Sequence, residues 1–272
     1  MINAIIFSKD RACQCDLTLQ SLFENSSNLL SKINVLYNYS NDEFGQGYFK
    51  LRNCWRHSVG FYPQTDFKKN LCNLTKSTYP HTVYFTDDDI FYKKLKARSS
   101  TFLISDPQFV CFSLRLGKNT YVQDPYRGIT TVMPDFTKYH DDVLYWDWRR
   151  MPPNSNFSYP LSVDGHIFRT NMLLKYLDNF DYDNPNSFEG RLQQFNKQMP
   201  DKMACFESSH VVNTPLNRVQ DTCTNLAGQR YPADPAILND YFLQNFRINL
   251  KKMDFSHIIG CHQELQLVLD KQ

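Results

Sequence analysis

Glycine is scarce in this sequence, with nine in 272 residues, and none of them belongs to a phosphate-binding loop. No GxGxxG motif follows the first apolar segment and no GxxxxGK motif occurs, so neither a Rossmann oxidoreductase nor a P-loop enzyme is supported. An excess of basic charge is also missing, because 30 Lys and Arg side chains stand against 28 Asp and Glu. A nucleic-acid partner is therefore not indicated.

Long apolar runs are missing as well. No stretch approaches the roughly 20 apolar residues of a transmembrane helix, and the opening segment MINAIIFSKDRACQC has only a short apolar run before its charges. We therefore expect no membrane span and no signal peptide. The eight cysteines are scattered, and Cys13 and Cys15 have no second pair or nearby histidine to complete a zinc site. We expect reduced thiols and a cytoplasmic protein.

The order of apolar segments predicts an α/β fold. A buried strand (NAIIFSK, 3–9), an amphipathic helix (CDLTLQSLFEN, 15–25) and a second strand (KINVLYNYS, 32–40) form the βαβ unit of a parallel sheet. In such sheets ligands bind beyond the carboxyl ends of the strands. Further helices are expected over 48–59, 65–78, 172–180, 185–199 and 235–248, further strands over 81–86, 108–117 and 203–215, and a loop or hairpin over 117–142.

The segment HTVYFTDDDIFY (81–92) runs a strand rich in β-branched and aromatic residues into Asp87, Asp88 and Asp89. Adjacent carboxylates repel one another, so we expect a cation close to them. Because side chains alternate along a strand, Asp87 and Asp89 would point the same way and could share Mg²⁺ or Mn²⁺. The alternative interpretation is a solvated acidic turn.

Four segments in this order resemble the nucleotide-sugar-dependent glycosyltransferases of the GT-A fold. The segment YFTDDDIF resembles their DxD motif, and YPLSVDGHIFR (159–169) is similar to their glycine-containing loop beside the donor sugar. NPNSFEGRL (184–192) resembles the position of the catalytic acid at the start of a helix. ESSHVV (207–212) would supply the histidine that binds the metal ion in many members.

The resemblance implies a GT-A, Rossmann-like nucleotide-sugar-binding domain with a mostly parallel central sheet flanked by helices. A single domain would span residues 1–272, with a core of about 2–215 and a helical extension of about 216–272. The implied activity is metal-dependent transfer of a sugar from a nucleotide diphosphate, UDP in the first place, to a hydroxyl of a glycan acceptor. An inverting direct displacement is favoured over a retaining reaction.

The resemblance also implies roles for individual residues. Mn²⁺ or Mg²⁺ would be bound by Asp87, Asp89 and His210. The general base would be Glu189 in the first place, because it lies near a predicted helix start, with Asp164 as the alternative. The expected donor-binding residues are Ser8, Lys9, Arg11, Asp42, Lys68, Asn70, Asp87, Asp88 and Gly165. Trp146, Trp148 and His166 are the candidate acceptor-binding residues, and the alternative for each is a structural role in the core. The other histidines, His57, His81, His140, His257 and His262, are expected to be structural.

Two other classes of function remain open at this point. A metal-dependent nucleotidyltransferase or phosphohydrolase also gathers acidic residues on an α/β sheet. A carbohydrate-binding protein could keep the fold without turnover. Sugar transfer from a UDP-sugar would separate the first class from a glycosyltransferase, and metal-dependent donor hydrolysis would exclude the second.

Overall fold

A computed structural model describes residues 1–26, 29–95, 105–140, 142–220, 222 and 227–272. Its helices are α1 (Ala12–Asn25), α2 (Asp42–Trp55), α3 (Phe67–Thr75), α4 (Thr170–Leu177), α5 (Pro185–Leu192) and α6 (Pro235–Leu243). Its strands are β1 (Ile2–Lys9), β2 (Leu30–Asn38), β3 (Gly60–Pro63), β4 (His81–Thr86), β5 (Asp89–Phe91), β6 (Phe109–Ser113), β7 (Val122–Asp124), β8 (Ile129–Thr130), β9 (Thr137–His140), β10 (Val143–Asp147), β11 (His166–Arg169), β12 (Lys202–Phe206), β13 (Val211–Asn213), β14 (Phe246–Ile248) and β15 (Leu269–Lys271).

Nine strands form one central sheet in the order β3-β2-β1-β4-β11-β6-β12-β10-β9. The four strands at one side are parallel to one another, and β12 is parallel to β6. Strands β11 and β10 run against their neighbours. The prediction of a mostly parallel central sheet is confirmed. The carboxyl ends of β1, β2 and β4 meet at one edge, where such sheets bind ligands.

Strand β1 is apolar on both faces because both are covered. Ala4 and Ile6 pack into one hydrophobic cluster with α1, whereas Ile5 and Phe7 pack into a second cluster on the opposite face. Continuous burial of this kind is typical of parallel strands that have helices on both sides. The second cluster includes Phe67 of α3.

Side-chain caps place the helix starts. Asn41 accepts a hydrogen bond from the backbone of Phe44, so α2 begins about six residues before the predicted start. The Asn184 side chain caps α5 by accepting a hydrogen bond from the backbone N–H of Ser187. The Ser187 hydroxyl in turn accepts a hydrogen bond from the backbone N–H of Asn184. Of the two caps that the sequence offers for this helix, Asn184 and Ser187, the structure has Asn184, and this cap fixes the start of the helix that carries Glu189.

The chain after residue 202 differs from the prediction in two places. The expected single strand over 203–215 is two strands, β12 and β13, because the second leaves the main sheet to pair with β5 beside the three aspartates. The expected helix over 235–248 ends at Leu243, and the next residues form β14, which pairs with β15. The segment after 216 is therefore a mixture of helix and strand. Within the described residues, no helix has both the length and the apolar character needed to cross a membrane.

Candidate active site

A cavity of about 990 Å³ opens at the carboxyl ends of β1, β2 and β4. Ser8 and Lys9 end β1 at its rim, Arg11 follows β1, and Asp87 and Asp88 follow β4. The cavity also receives side chains from distant parts of the chain. These include Arg115, Asp164, Glu189, Asn213 and His262.

Arg11 is the buried cation of this rim. Its Nη1 atom lies 3.0 Å from Asp87 Oδ1 and 3.1 Å from Asp88 Oδ2. Its Nε atom donates to Asn217 Oδ1 at 2.6 Å. Asp10 turns the chain into this position, with a φ of 55° in the left-handed region, which Asp tolerates better than most residues.

The acidic triad, which we define as Asp87, Asp88 and Asp89, is saturated by protein donors. Asp87 accepts from Arg11 at one oxygen and from the Ser8 hydroxyl (2.8 Å) at the other. Asp88 accepts from Arg11 and from Asn213 Nδ2 (2.8 Å). Asp89 accepts from the backbone of Thr86 (2.9 Å) and contacts Asn213 Nδ2 at 3.2 Å. All six carboxylate oxygens therefore have a protein partner.

The three metal ligands expected from the sequence do not come together in this structure. Among the described residues, no group of three or more His, Cys, Asp or Glu is placed to hold a metal ion. His210, the expected third ligand, is buried between Phe206 and Phe91 at ring-centroid distances of 4.5 and 6.2 Å. It does not line the cavity, nor does Asp89. The set of Asp87, Asp89 and His210 is therefore not assembled around the cavity.

Burial changes the ionisation of Asp87 and Asp89. It raises the pKa of Asp87 to about 6, although Arg11 acts in the opposite direction. Burial, and then the charges of Asp164 and Asp88, raise the pKa of Asp89 well above its ordinary value. Both residues thus hold a proton more readily than exposed aspartates do.

Glu189 and Asp164, the two candidate bases, lie on the same side of the cavity. Glu189 projects from α5, and its Oε1 atom accepts a hydrogen bond from the backbone of Val163 at 3.0 Å. Asp164 is the next residue and forms an ion pair with Arg115, Oδ2 to Nη1, at 2.9 Å. Burial, and then the charge of Asp164, raise the pKa of Glu189 to about 7. The structure therefore brings together the two acids that the sequence offers as the base.

A hydrogen-bond chain joins this carboxylate pair to the acidic triad. The Arg115 Nη1 atom that binds Asp164 also lies 2.9 Å from His262 Nε2. The other ring nitrogen, Nδ1, lies 3.3 Å from Asn213 Oδ1, and the amide nitrogen of Asn213 contacts Asp88 and Asp89. These hydrogen bonds thus connect Asp164 with Asp88 and Asp89.

Tyrosine, amide and apolar groups also line the cavity. Tyr126 and Ile129 come from the hairpin of β7 and β8, and both side chains are partly exposed, at 37% and 48%. Tyr159 lies near Glu189, whose charge contributes to the raised pKa of its hydroxyl after burial. This surface offers flat rings and hydrogen-bonding groups to a bound molecule. The amide groups of the cavity include Gln123, Asn154, Asn156, Asn184 and Asn186.

The expected acceptor-binding residues are not at the cavity. Trp146 and Trp148 are buried core residues, and their indole N–H groups donate to the backbone of Phe157 and Pro200. His166 is fully buried, and burial lowers its pKa to about 3. The expectation fails because the alternation of β10 turns Trp146 into the core, where large aromatic residues are most often found.

The expected donor-binding residues divide into two groups. Ser8, Lys9, Arg11, Asp87 and Asp88 line the cavity as predicted. The others do not. Asp42 is an exposed residue in the first turn of α2, Lys68 pairs with Asp181, Asn70 accepts from the backbone of Thr65 and Asp66, and Gly165 forms a buried turn with a φ of 70°.

Sequence reasoning missed four residues of the site: Arg115, Asn213, Asn217 and His262. His262 was expected to be structural, yet it lines the cavity. Arg115 carried a signal, since an arginine directly after the apolar strand segment FVCFSL must find a buried carboxylate partner. The other three carried none, because their positions depend on how the chain returns to the sheet edge.

The sequence matches no known protein family and no curated protein. The structure is similar to TarS of S. aureus solved in complex with UDP, with 17% identity, a TM-score of 0.49 and coverage of 78% of this chain. It is also similar to the mannosyltransferase PcManGT from Pyrobaculum calidifontis in complex with GDP-Man and Mn²⁺, with 11% identity, a TM-score of 0.41 and coverage of 76% of this chain and 55% of the other. The chain spans 60% of the TarS chain that it matches.

Proposed function

We propose that this protein is a glycosyltransferase that moves a sugar from a nucleotide diphosphate to a hydroxyl group of a glycan acceptor. The observation that carries the proposal is Glu189. It is a partly buried carboxylate with a pKa of about 7, and it faces a cavity that extends to the carboxyl ends of β1 and β4. A general base works best when its pKa lies near the working pH.

The donor would bind at the end of the cavity formed by β1, β2 and β4. Phe7, Leu36 and Phe67 supply an apolar surface for a nucleobase, and Asn38 and Gln64 supply amide groups beside it. A uracil ring suits such a surface, and for this reason UDP is the first nucleotide to test.

Two cations would face the diphosphate. Lys9 and Arg218 line the cavity, and neither forms an ion pair within the part of the chain that the structure describes. Arg11 and Arg115 differ, because carboxylates already neutralise them. Lys9 and Arg218 are therefore available to stabilise the negative charge that develops on the leaving diphosphate.

Glu189 would act on the acceptor. As the acceptor oxygen forms its bond to C1 of the sugar, the bond from C1 to the diphosphate oxygen breaks and its electron pair stays on the diphosphate. The acceptor proton passes to Glu189. Asp164, held by Arg115, would place a negative charge near the oxocarbenium-like transition state. This division of roles gives an inverting direct displacement.

The acceptor would bind beside Tyr126, Ile129 and Tyr159. These rings and apolar groups, with the amide side chains around them, suit the flat faces and hydroxyl groups of a sugar. Mn²⁺ or Mg²⁺ stays a prediction from the sequence, and no step above uses it.

Calorimetric titration with UDP and GDP, with Mn²⁺ and again with a chelator, tests the donor site first. A panel of UDP-sugars with neutral oligosaccharide acceptors then tests transfer, read as a glycosylated product by mass spectrometry. A phosphohydrolase would release nucleotide without any such product. The absence of both nucleotide binding and product from folded protein would refute the proposal.

A further inference from the structure

We propose that His262 is a positioning residue that keeps the acidic triad and the Arg115–Asp164 ion pair in fixed relation to each other. The inference rests on the proposed glycosyl transfer, since it gives His262 a part in that reaction. His262 belongs to the segment that follows β14, far in sequence from both sets of acids.

The backbone fixes His262 beside Asn213. The two residues form a parallel bridge. Asn213 donates its N–H to the carbonyl of Cys261 at 2.9 Å, and Gln263 donates its N–H to the carbonyl of Asn213 at 2.9 Å. The ring therefore has little freedom to move away from the Asn213 side chain, which is itself buried.

The partners of the ring assign its protons. A guanidinium group can only donate, so Nε2 of His262 must accept from Arg115 and carries no proton in this arrangement. The proton of the neutral ring is then on Nδ1, which faces Asn213 Oδ1. This donor fixes the Asn213 amide with its nitrogen towards Asp88. Without it the amide could turn its oxygen to the carboxylate, and two acceptors would then face each other.

The same ring also holds the Arg115 side chain, which pairs with Asp164. The Arg115 side chain is only 2% exposed, and its Nε atom has no partner among the described residues. His262 and Asp164 are the two acceptors that hold its Nη1 atom. Loss of the ring would free this nitrogen from one of its two partners and allow the guanidinium, and Asp164 with it, to shift. A shift of the guanidinium and of Asp164 close to the reacting atoms would lower turnover, because catalysis depends on their exact positions.

Two conservative substitutions separate the two contacts. In His262→Asn, the side-chain N–H can still reach Asn213, but no acceptor reaches Arg115. In His262→Gln, the amide oxygen can still accept from Arg115, but no donor reaches Asn213. His262→Ala removes both contacts, and His257→Ala changes an exposed histidine of the same segment as the control. UDP affinity, kcat and KM for transfer and the thermal unfolding midpoint are measured for each protein.

We expect His262→Asn to lower kcat by about tenfold or more with UDP affinity unchanged, whereas His262→Gln weakens UDP binding and keeps most of kcat. His262→Ala should show both losses, and His257→Ala neither. If the Asn and Gln variants lose the same parameter to the same extent, the ring contacts substrate directly and the positioning role is wrong. It is also wrong if His262→Ala retains full activity. A wild-type protein that binds UDP but transfers no sugar would instead refute the proposed function.

Discussion

Arg11 and Asp87 join the ends of β1 and β4 across the rim of the cavity, with 3.0 Å between the guanidinium and the carboxylate. The same guanidinium nitrogen binds Asp88, so one buried cation serves two carboxylates. The chain thus supplies one cation of its own to the aspartate triplet.

Arg11→Ala should destabilise the protein by about 3–5 kcal/mol, because it leaves two buried carboxylates without a partner. Urea unfolding at pH 7.5 measures the change, with the exposed Arg56→Ala as the control. The loss in free energy of unfolding should be smaller at pH 5, because Asp87 in the variant can then take up a proton. A loss below about 1 kcal/mol, the size of a surface ion pair, would contradict the importance of this contact.

Glu189→Gln should lower sugar transfer by about 100-fold or more and leave UDP affinity unchanged, because the amide keeps the shape of the side chain but cannot accept the proton. Transfer is measured at saturating donor. Asp164→Asn is made in parallel. If it removes transfer while Glu189→Gln keeps it, the base is Asp164.

The pH dependence of transfer should follow Glu189. The base must be deprotonated, so kcat/KM should rise with pH and level off above the pKa of about 7. An activity profile from pH 5 to 9 checks this. If kcat/KM has already levelled off at pH 5, the activity follows a group with a pKa near the ordinary glutamate value of 4.5, and Glu189 is not the base.

The raised pKa of Glu189 also predicts a change in stability. In the folded state the carboxyl group holds its proton up to about pH 7, whereas in the unfolded state it loses it near 4.5. The folded state therefore binds more protons between these values, and stability falls as pH rises through that window. Glu189→Gln should raise the free energy of unfolding at pH 8, by on the order of 1–3 kcal/mol, and leave it nearly unchanged at pH 4. Thermal unfolding at the two pH values measures it.

Lys9→Ala and Arg218→Ala should each weaken UDP binding by about tenfold and leave uridine binding unchanged, because their charges face the diphosphate and not the base. Calorimetry with the two ligands separates these contributions. Lys69→Ala, which changes an exposed lysine of α3, is the control. Equal loss for UDP and uridine would place both residues elsewhere in the donor site.

The sequence predicted most of the sheet edge, because its signals there are local. The apolar run of β1 and the strand before the aspartates each lead directly into polar residues, so Lys9, Arg11 and Asp87 could be placed at the cavity. The pairing of Arg11 with Asp87 could not be predicted, since it depends on the register of β1 against β4.

The other half of the site could not be placed in the same way. His210 was expected at the metal site because the segment ESSHVV resembles the glycosyltransferase motif, but its ring packs against Phe206 and Phe91 in the core. His262 reaches the cavity through a bridge to Asn213, a contact between segments 49 residues apart. Periodicity reports local structure and does not report such contacts.

The hydrogen bond from Arg11 to Asn217 joins positions that are 206 residues apart in the chain. During synthesis the ribosome releases β1 and the acidic triad long before it releases Asn217 and His262. Until then Arg11 and Asn213 lack these partners, and the cavity has only part of its wall. A growing chain therefore has the sheet edge with Arg11 and the acidic triad before it has Asn217 and His262. The proposed activity begins only when the segment that contains Asn217 and His262 has folded onto this edge.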